Sequence, residues 1–152
     1  MMIMKICLVC SHGGHLTETL QIMDAFMEHE IFFATYHSSR NESVEAIAPA
    51  YFTRNIGMNV WRMAKAFGWA LTVLWREKPD VIVSLGAEIG LPFIWLGWLL
   101  GRKTIFIESW CRTENLSLTG RLVQPIVDQF WVQWPQLLSH CQPKAKYKGA
   151  VI

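Results

Sequence analysis

Charged residues are scarce in this sequence, and their scarcity limits what the chain can be. Only 17% of its 152 residues are charged and 52% are hydrophobic, which is more apolar than a typical soluble domain. Such a chain can bury a core, so disorder is excluded. The net charge is only +2 and no basic stripe with interleaved aromatics occurs, so nucleic acid is not an expected partner. The apolar excess instead indicates a surface that faces a membrane or another protein.

The sequence also lacks the patterns of a metal site and of a secreted protein. Cys7 and Cys10 have C-x-x-C spacing but lie in an apolar run, and Cys111 and Cys141 are too scattered to complete a zinc site. We therefore expect buried reduced thiols and no metal. The N-terminus leads directly into an apolar strand without a signal peptide, which predicts a location on the cytoplasmic side.

No apolar run is long enough to cross a bilayer. The longest run, 89–101, has thirteen residues, about 20 Å as a helix against about 30 Å of hydrocarbon. A helix that covers the sheet is one interpretation of this run, and a helix lying in the membrane interface is the alternative. Segment 58–76 is an equally good interfacial helix, so peripheral membrane contact through one of the two is predicted. The tryptophans predicted to face the membrane are Trp61, Trp69, Trp95 and Trp98.

Buried-strand patterns alternate with helix-period patterns along the chain. Strands are predicted at 3–10, 31–36, 51–53, 81–85, 104–107 and 130–133, and helices at 16–28, 43–48, 58–76, 89–100 and 119–129, the last interrupted by Pro125. A last apolar stretch covers 147–152. The alternation predicts a single Rossmann-like α/β domain over 1–152, with a mostly parallel sheet and helices on both faces.

Residues 10–15, C-S-H-G-G-H, lie between the first predicted strand and the first predicted helix. A ligand binds at such a place in α/β proteins, because strand ends open a crevice and the helix N-terminus offers unpaired N–H groups. The segment is neither a G-x-G-x-x-G dinucleotide fingerprint nor a P-loop, so a nicotinamide or flavin cofactor is not expected. A diphosphate remains a candidate ligand for the turn formed by Ser11, His12, Gly13 and Gly14.

His15 follows the two glycines, within reach of a hydroxyl or phosphate bound at the turn. Its imidazole is suited to act as a general base or to donate a hydrogen bond to an anion. Two structural alternatives stay open. His15 can cap its own helix, and the glycines can serve only to reverse the chain.

A second polar cluster, E-S-W-C-R-T-E-N at 108–115, follows the predicted strand 104–107. It should therefore lie at the same carboxyl edge of the sheet as the glycine turn. The carboxylate of Glu108, the hydroxyl of Ser109 and the guanidinium of Arg112 suit a sugar-phosphate ligand. The structural alternative is an ion pair from Arg112 to Glu108 or to Glu114.

Three stretches resemble one protein family: S-H-G-G-H-L-T-E, I-E-S-W-C-R-T-E-N-L-S-L-T-G-R-L and D-Q-F-W-V-Q-W-P-Q-L. The family comprises the acceptor-binding, membrane-anchoring subunits of two-subunit lipid-linked sugar transferases. It includes the PssD-like proteins of bacterial polysaccharide synthesis and the eukaryotic subunit that anchors the N-acetylglucosamine transferase acting on dolichol diphosphate-N-acetylglucosamine. The resemblance extends from Lys5 to the last residue.

The resemblance implies the N-terminal half of a B-type glycosyltransferase, in which a G-G-H turn faces the acceptor diphosphate. It implies that His15 and Glu108 are catalytic in an inverting transfer from a UDP-sugar to a polyprenyl-diphosphate-linked sugar. Two departures are visible. Ile107 replaces a histidine of a peptidoglycan-synthesis relative, and Glu88 stands in a second glycine loop, where it would repel a diphosphate.

The family also implies a partner subunit that binds the UDP-sugar, so this chain is expected to hold no cofactor and to be inactive alone. Its C-terminal tail, 146–152, is predicted to dock that partner. The residues expected to contact it are Trp134, Tyr147, Val151 and Ile152. Eukaryotic relatives carry an N-terminal membrane span that is absent here, which predicts peripheral attachment at the cytoplasmic face of the membrane.

Two other functions compete with this hypothesis. The chain can be a non-catalytic membrane scaffold that positions a partner carrying all the chemistry. It can also be a free-standing nucleotide-binding domain, which would require tight binding of a UDP-sugar by this chain alone.

Overall fold

The computed structural model of the chain describes residues 1–151. Ile152, one of the predicted partner contacts, lies outside the described residues. The described chain folds around one seven-stranded, all-parallel sheet with helices on both faces, as the sequence predicts.

The sheet has the strand order β3-β2-β1-β4-β5-β6-β7. Its strands are β1 (Lys5–Val9), β2 (Glu30–Tyr36), β3 (Ala50–Thr53), β4 (Val81–Ser84), β5 (Lys103–Ile107), β6 (Gln129–Val132) and β7 (Ala145–Tyr147). The central strands are buried on both faces, which is why they read as continuous apolar runs in the sequence. The strand order reverses between β1 and β4, and in open parallel sheets this switch point is where ligands bind.

Five α-helices connect the strands. They are α1 (Gly14–Gln21), α2 (Asn41–Glu45), α3 (Val60–Glu77), α4 (Gly90–Leu99) and α5 (Leu118–Val123). Short 3₁₀ helices follow α1 at Met23–Phe26 and β6 at Pro135–His140. Residues of α3, α4 and α5 share one core cluster with one face of the sheet, and residues of α1 and α2 share another with the opposite face.

Most boundaries differ from the sequence prediction by one to three residues, and two helices and one strand differ by more. The helix predicted at 16–28 ends at Gln21 and continues as a 3₁₀ turn, because eight helical residues, about 12 Å, already run back along most of a five-residue strand. The helix predicted at 119–129 ends at Val123, since Pro125 has no N–H and disfavours helical geometry before it. The short strand β7 was not predicted, because three residues at a sheet edge leave too little periodicity to detect.

Helix α4 is the sheet-covering helix of the first interpretation. Phe93 and Ile94 are fully buried, and Gly97 lies so close to Ile82 and Thr104 that a side chain at this position would collide with both. Across residues 1–151, none of the helices combines the length and the apolarity that crossing a bilayer requires.

The cysteines meet the prediction of buried thiols only in part. Cys7 and Cys10 are free and buried, whereas Cys111 is free but exposed and Cys141 is half-buried. Burial raises the pKa of the Cys10 thiol to about 11 and that of Cys7 well above its ordinary value. Both thiols of the C-x-x-C pair therefore stay protonated and act as small apolar core groups.

The sheet face on the α1 side is incompletely covered near β5 and β6. A cavity of about 450 Å³ lies there between Phe26, Ile105, Trp131 and the chain at 148–151. The last described residues thus fold back along the sheet that they follow.

Candidate functional site

A second cavity, of about 520 Å³, opens at the switch point between β1 and β4. Six of the predicted binding and catalytic residues line it: Ser11, His12, His15, Glu108, Ser109 and Arg112. The two polar segments singled out in the sequence, although about a hundred residues apart, therefore meet at one crevice.

The turn at 11–14 leads into helix α1; Ser11 and His12 line the cavity, whereas the predicted Gly13 and Gly14 do not. Gly13 has φ +80° and ψ −133°, a backbone geometry that suits glycine, and no side chain caps the helix. The first helical hydrogen bond runs from the Thr17 N–H to the Gly13 carbonyl. The N–H groups that precede it are outside the helical ladder, as an anion site at a helix N-terminus requires.

His15, at the start of the helix that follows β1, forms a hydrogen bond with the residue that follows β4. Its Nδ1 lies 2.8 Å from the Leu85 carbonyl oxygen, and because a carbonyl only accepts, Nδ1 carries the hydrogen. In the neutral ring Nε2 is then the lone-pair nitrogen. The alternative that His15 caps its own helix is wrong, since α1 has no side-chain cap.

Gly86 closes the other side of the His15 ring. Its φ is +87°, and a Cβ built there would lie 2.9 Å from the His15 Cε1 atom. Two features favour glycine at position 86: the backbone has a positive φ, and the His15 ring occupies the space that a side chain would need. Together, Leu85 and Gly86 fix the orientation of the imidazole.

The residues beside His15 continue the wall of the cavity. The Ser11 hydroxyl is nearly buried and donates to the His12 carbonyl at 3.3 Å. The exposed His12 ring lies edge-on to Tyr36, with 5.9 Å between the ring centroids.

Glu88 enters the same cavity from the turn after β4. Its Oε1 accepts from the Tyr36 hydroxyl at 2.9 Å and from the Gly57 N–H at 3.3 Å. Burial and the Glu88 carboxylate raise the pKa of Tyr36, so its hydroxyl stays a donor. The preceding residue, Ala87, has φ +65°, an unfavourable conformation for a side chain that the turn imposes.

Glu108 follows β5 at the carboxyl edge of the sheet, as the sequence predicts, but it is not open to solvent. It is fully buried. One oxygen accepts from the Ser109 N–H at 3.0 Å, and the other accepts from the N–H and hydroxyl of Ser117 at 2.9 and 3.0 Å. Ser117 in turn caps α5 by accepting from the Gly120 N–H at 2.9 Å. The Glu108 carboxylate therefore holds the loop that leads to α5.

Sequence reasoning missed two further buried residues, Glu18 and Gln133. Glu18 accepts from the Ser109 hydroxyl at 3.1 Å and the Trp110 N–H at 3.2 Å. Gln133 donates to Glu18 at 3.3 Å and to the Glu108 carbonyl at 3.0 Å. Both occur in the stretches that carry the family resemblance, which was the only available signal, because helical periodicity placed Glu18 off the apolar face.

Arg112 is exposed at the rim of the cavity. The ion pairs found within residues 1–151 both involve Lys5, with Glu30 and Glu77. The proposed pairing of Arg112 with Glu108 or Glu114 is therefore wrong. The guanidinium is available to a ligand.

The predicted partner contacts lie around β6 and β7. Trp134 donates from Nε1 to the Trp110 carbonyl at 2.7 Å, and Tyr147 is half-exposed in β7. The Val151 N–H donates to the Gln133 Oε1 at 2.9 Å. Through Gln133, the tail is thus connected to the network that holds Glu18 and Glu108.

The four tryptophans predicted to face a membrane differ in exposure. Trp61 is 80% exposed and Trp98 is 46% exposed. Trp69 is half-buried, with its ring edge-on to Phe93 at 5.4 Å, and Trp95 is half-buried with its ring edge-on to Trp98. Of these four, Trp61 and Trp98 are therefore exposed, and Trp75 on α3, which the sequence did not single out, is exposed as well.

A sequence profile of the family described as "Oligosaccharide biosynthesis protein Alg14 like" matches residues 53–151. Proteins named UDP-N-acetylglucosamine transferase subunit ALG14 are similar over nearly the whole chain. The one from Eremothecium gossypii is 44% identical, over 92% of this chain and 76% of its own. The one from Yarrowia lipolytica is 27% identical over 97% and 81%, and the human one is 26% identical over 98% and 83%.

The fold is similar to one half of larger proteins of known structure. MurG from Acinetobacter baumannii matches with a TM-score of 0.77 and 14% identity, over 97% of this chain and 46% of its own. UDP-GlcNAc 2-epimerase from Methanocaldococcus jannaschii matches with a TM-score of 0.71 and 18% identity, also over 97% and 46%. The chain spans under half of the length of these proteins. This similarity confirms the predicted fold, which is the Rossmann-like N-terminal half of a B-type glycosyltransferase.

Proposed function

Because the chain belongs to the family of Alg14-like oligosaccharide biosynthesis proteins, we propose that it is one subunit of a glycosyltransferase for lipid-linked oligosaccharide or polysaccharide synthesis. In this proposal it binds a polyprenyl-diphosphate-linked sugar, the acceptor, and assembles with a separate subunit that binds the UDP-sugar donor. The acceptor hydroxyl displaces UDP with inversion at the anomeric carbon. Alone, the chain has half of an active site and no turnover.

The observation that carries this proposal is the geometry of His15 at the switch point. One cavity is lined by an imidazole oriented by the Leu85 carbonyl, by Ser11 and His12 just before the N-terminus of α1, and by the guanidinium of Arg112, which forms no ion pair within residues 1–151. Backbone N–H groups and a guanidinium are the donors that bind a diphosphate. The imidazole is the group that suits proton transfer at neutral pH.

In the proposed mechanism the diphosphate of the acceptor binds the turn at 11–14 and Arg112. The Nε2 of His15, which has the lone pair in the neutral ring, accepts the proton of the attacking hydroxyl as the bond to the sugar forms and the bond to UDP breaks. Once protonated, the same nitrogen donates to a neighbouring phosphate oxygen.

Glu108 has a supporting part in this mechanism. Its two oxygens accept three hydrogen bonds from Ser109 and Ser117 inside the loop, and the side chain is closed off from solvent. We propose that Glu108 is a positioning residue, which holds Ser109 and the Arg112 segment at the cavity, and that it is not the proton acceptor.

The donor-binding partner is proposed to dock against the tail at 146–152 and Trp134. The tail borders the incompletely covered face of the sheet, where the cavity of about 450 Å³ is lined mostly by apolar side chains. Apolar surface of this kind marks a protein interface. The bond from Val151 to Gln133 makes the tail a continuous extension of the acceptor site.

Membrane contact is proposed at the cytoplasmic face, through the outer edges of α3 and α4. Trp61, Trp75, Trp98 and Leu99 are all exposed there. Arg76 on α3 and the basic pair Arg102 and Lys103 after α4 suit anionic headgroups. Trp69 and Trp95 lie behind this surface as packing residues.

The proposal is tested by reconstitution. We expect the purified chain to bind a polyprenyl-diphosphate sugar in a calorimetric titration and to show no tight binding of a UDP-sugar. Addition of the donor-binding subunit should then produce sugar transfer. Assembly with the partner but no acceptor binding would support the scaffold alternative, and tight binding of the UDP-sugar by this chain alone would support the nucleotide-binding alternative.

A further inference from the structure

An apolar groove leads out of the cavity at the switch point. It has a volume of about 210 Å³ and lies between the start of α3, the start of α4 and helix α5. The side chains that give it apolar walls are Met58, Val60, Met63, Leu91, Leu118 and Leu122. Among the described residues that line it, Glu88 alone is charged, and Glu88 stands at the end shared with the cavity.

The groove and the cavity are continuous. Met58, Leu118, Glu88 and Thr119 line both. Away from these residues the cavity is lined by side chains with polar groups, among them Ser11, His12, His15 and Arg112. The lining therefore changes from polar side chains to apolar ones along one path, from His15 past Glu88 and into the groove.

The apolar walls are open to solvent in the described chain. Met58 is 91% exposed, Val60 79%, Leu118 58% and Leu122 44%, while Leu91 is half-buried between them. An exposed apolar patch beside a polar crevice marks a binding site rather than an ordinary stretch of surface. Its position beside the cavity favours an occupant that is covalently joined to the ligand of the cavity.

We propose that the groove binds the first isoprene units of the acceptor lipid. The inference rests on the proposed function: Met58 and Leu118 line both the cavity proposed for the diphosphate and the groove, so a hydrocarbon chain joined to that diphosphate can pass from one into the other. A volume of 210 Å³ holds roughly seven heavy atoms at the volume of liquid water. That is the first isoprene unit and part of the second.

A hydrocarbon fits the groove better than the partner subunit does. Most of the surface proposed for the partner, around Val151 and the cavity beside Trp131, belongs to the α1 side of the sheet, and of the proposed contacts Trp134 packs on the other side. The groove lies on the opposite side, among α3, α4 and α5. It offers few hydrogen-bonding groups to a peptide backbone, which needs partners when it is buried.

The experiment compares acceptors that carry the same sugar diphosphate on a methyl group or on chains of one to four isoprene units, in buffer without detergent. Each acceptor is titrated calorimetrically into the chain and is then assayed for turnover with the partner. We expect Kd and KM to fall roughly tenfold for each of the first two units, as burial of a leucine-sized group supplies, and then to level off.

Leu122→Gln and Val60→Asn should remove most of this gain and leave the acceptor that carries a methyl group in place of the isoprene chain almost unaffected. Leu71→Gln is the matched control, because Leu71 has the same 44% exposure as Leu122 but lies outside the groove. It should preserve the dependence on chain length. Circular dichroism checks that each variant is folded.

The outcomes separate this inference from the proposed function. Sugar transfer with a Kd and KM that are independent of chain length would overturn the groove and leave the function standing. Binding that depends on chain length and on Leu122, without any transfer, would support the groove and contradict the function. Loss of partner assembly in Leu122→Gln, with acceptor binding intact, would assign the groove to a protein instead.

Discussion

Residues 11–15 and residues 108–118 lie at the same edge of the sheet and line the same cavity, but they use their polar groups differently. In the glycine turn, N–H groups and the Nε2 of His15 remain available. In the second segment, Glu108, Ser109 and Ser117 are engaged with one another and with Glu18. The first segment offers groups to a ligand, and the second, apart from the exposed Arg112, holds the wall in place.

This difference shows how a site divides its work among residues of similar chemistry. A carboxylate that accepts three hydrogen bonds in a buried loop stabilises that loop, and it has little capacity left for a substrate. An imidazole held by one nitrogen keeps the other for chemistry. The next four variants test this division, beginning with the one expected to have the largest effect.

His15→Gln should separate chemistry from stability. Glutamine can still donate to the Leu85 carbonyl, but it cannot accept a proton, so kcat of the reconstituted pair should fall roughly 10²–10⁴-fold. That is about 3–5 kcal/mol in the barrier. Thr17→Ala, an exposed change on the same helix, is the control and should keep most of the activity. Unchanged turnover in His15→Gln would remove His15 from the chemistry and support the scaffold alternative.

Glu108→Ala should have the converse effect. It leaves the Ser109 N–H and both donors of Ser117 without their acceptor, at about 1–3 kcal/mol for an unsatisfied buried group. We expect the free energy of unfolding in urea to fall by about 3 kcal/mol. Glu114→Ala, which is exposed in the same loop, should change it by no more than about 0.5 kcal/mol. Equal unfolding curves for Glu108→Ala and wild type would contradict the supporting role.

Gly86→Ala should affect both properties, because this glycine touches the His15 ring. The positive φ costs an alanine about 1–2 kcal/mol, and the added Cβ displaces the imidazole. Gly101→Ala is the matched control, since Gly101 also has a positive φ, +71°, but an added Cβ meets nothing within 4 Å. Gly86→Ala should lose more stability than Gly101→Ala, because it also displaces the ring from the Leu85 carbonyl, and only Gly86→Ala should lower kcat. A similar kcat in both would show that the ring does not depend on Gly86.

Arg112→Ala should have the smallest effect. The side chain is exposed and unpaired, so stability should not change, and the acceptor KM should rise about three- to tenfold through the loss of about 1 kcal/mol of phosphate interaction. Arg112→Lys should recover part of the loss, and added salt should reduce the difference between the variants. An acceptor KM that Arg112→Ala leaves unchanged would place the diphosphate elsewhere.

The parts of the fold that depend on local pattern were predictable. The apolar runs around Val9 and Val83 gave the parallel strands, and the glycines at 13 and 14 marked the strand-to-helix turn. Local pattern also led to an error. Met23 and Met27 continue the helical spacing of apolar residues, so the helix was predicted to reach residue 28, whereas α1 ends at Gln21. Periodicity cannot show where a helix has covered the length of its strand.

The connections inside the site were not predictable, because they join residues far apart in the chain. His15 contacts a carbonyl 70 residues away in the sequence. Glu18 forms hydrogen bonds with Ser109, 91 residues away, and with Gln133, 115 residues away. Nothing in the sequence near Glu18 distinguishes a buried acceptor from a solvated side chain. The buried position of Glu108 follows in the same way from its donor at Ser117, which belongs to the start of another helix.

The strand order has a consequence for the synthesis of the chain. Val9 and Ser84 pair in the finished sheet but are 75 positions apart, so a ribosome adding about 5–20 residues per second completes β4 roughly 4–15 s after β1. During this interval β1 has one unpaired edge and His15 lacks Leu85. A pause or truncation before residue 81 would leave an open apolar strand, the kind of edge on which nascent chains aggregate. We therefore expect nascent chains halted before β4 to need a chaperone more than chains halted after it.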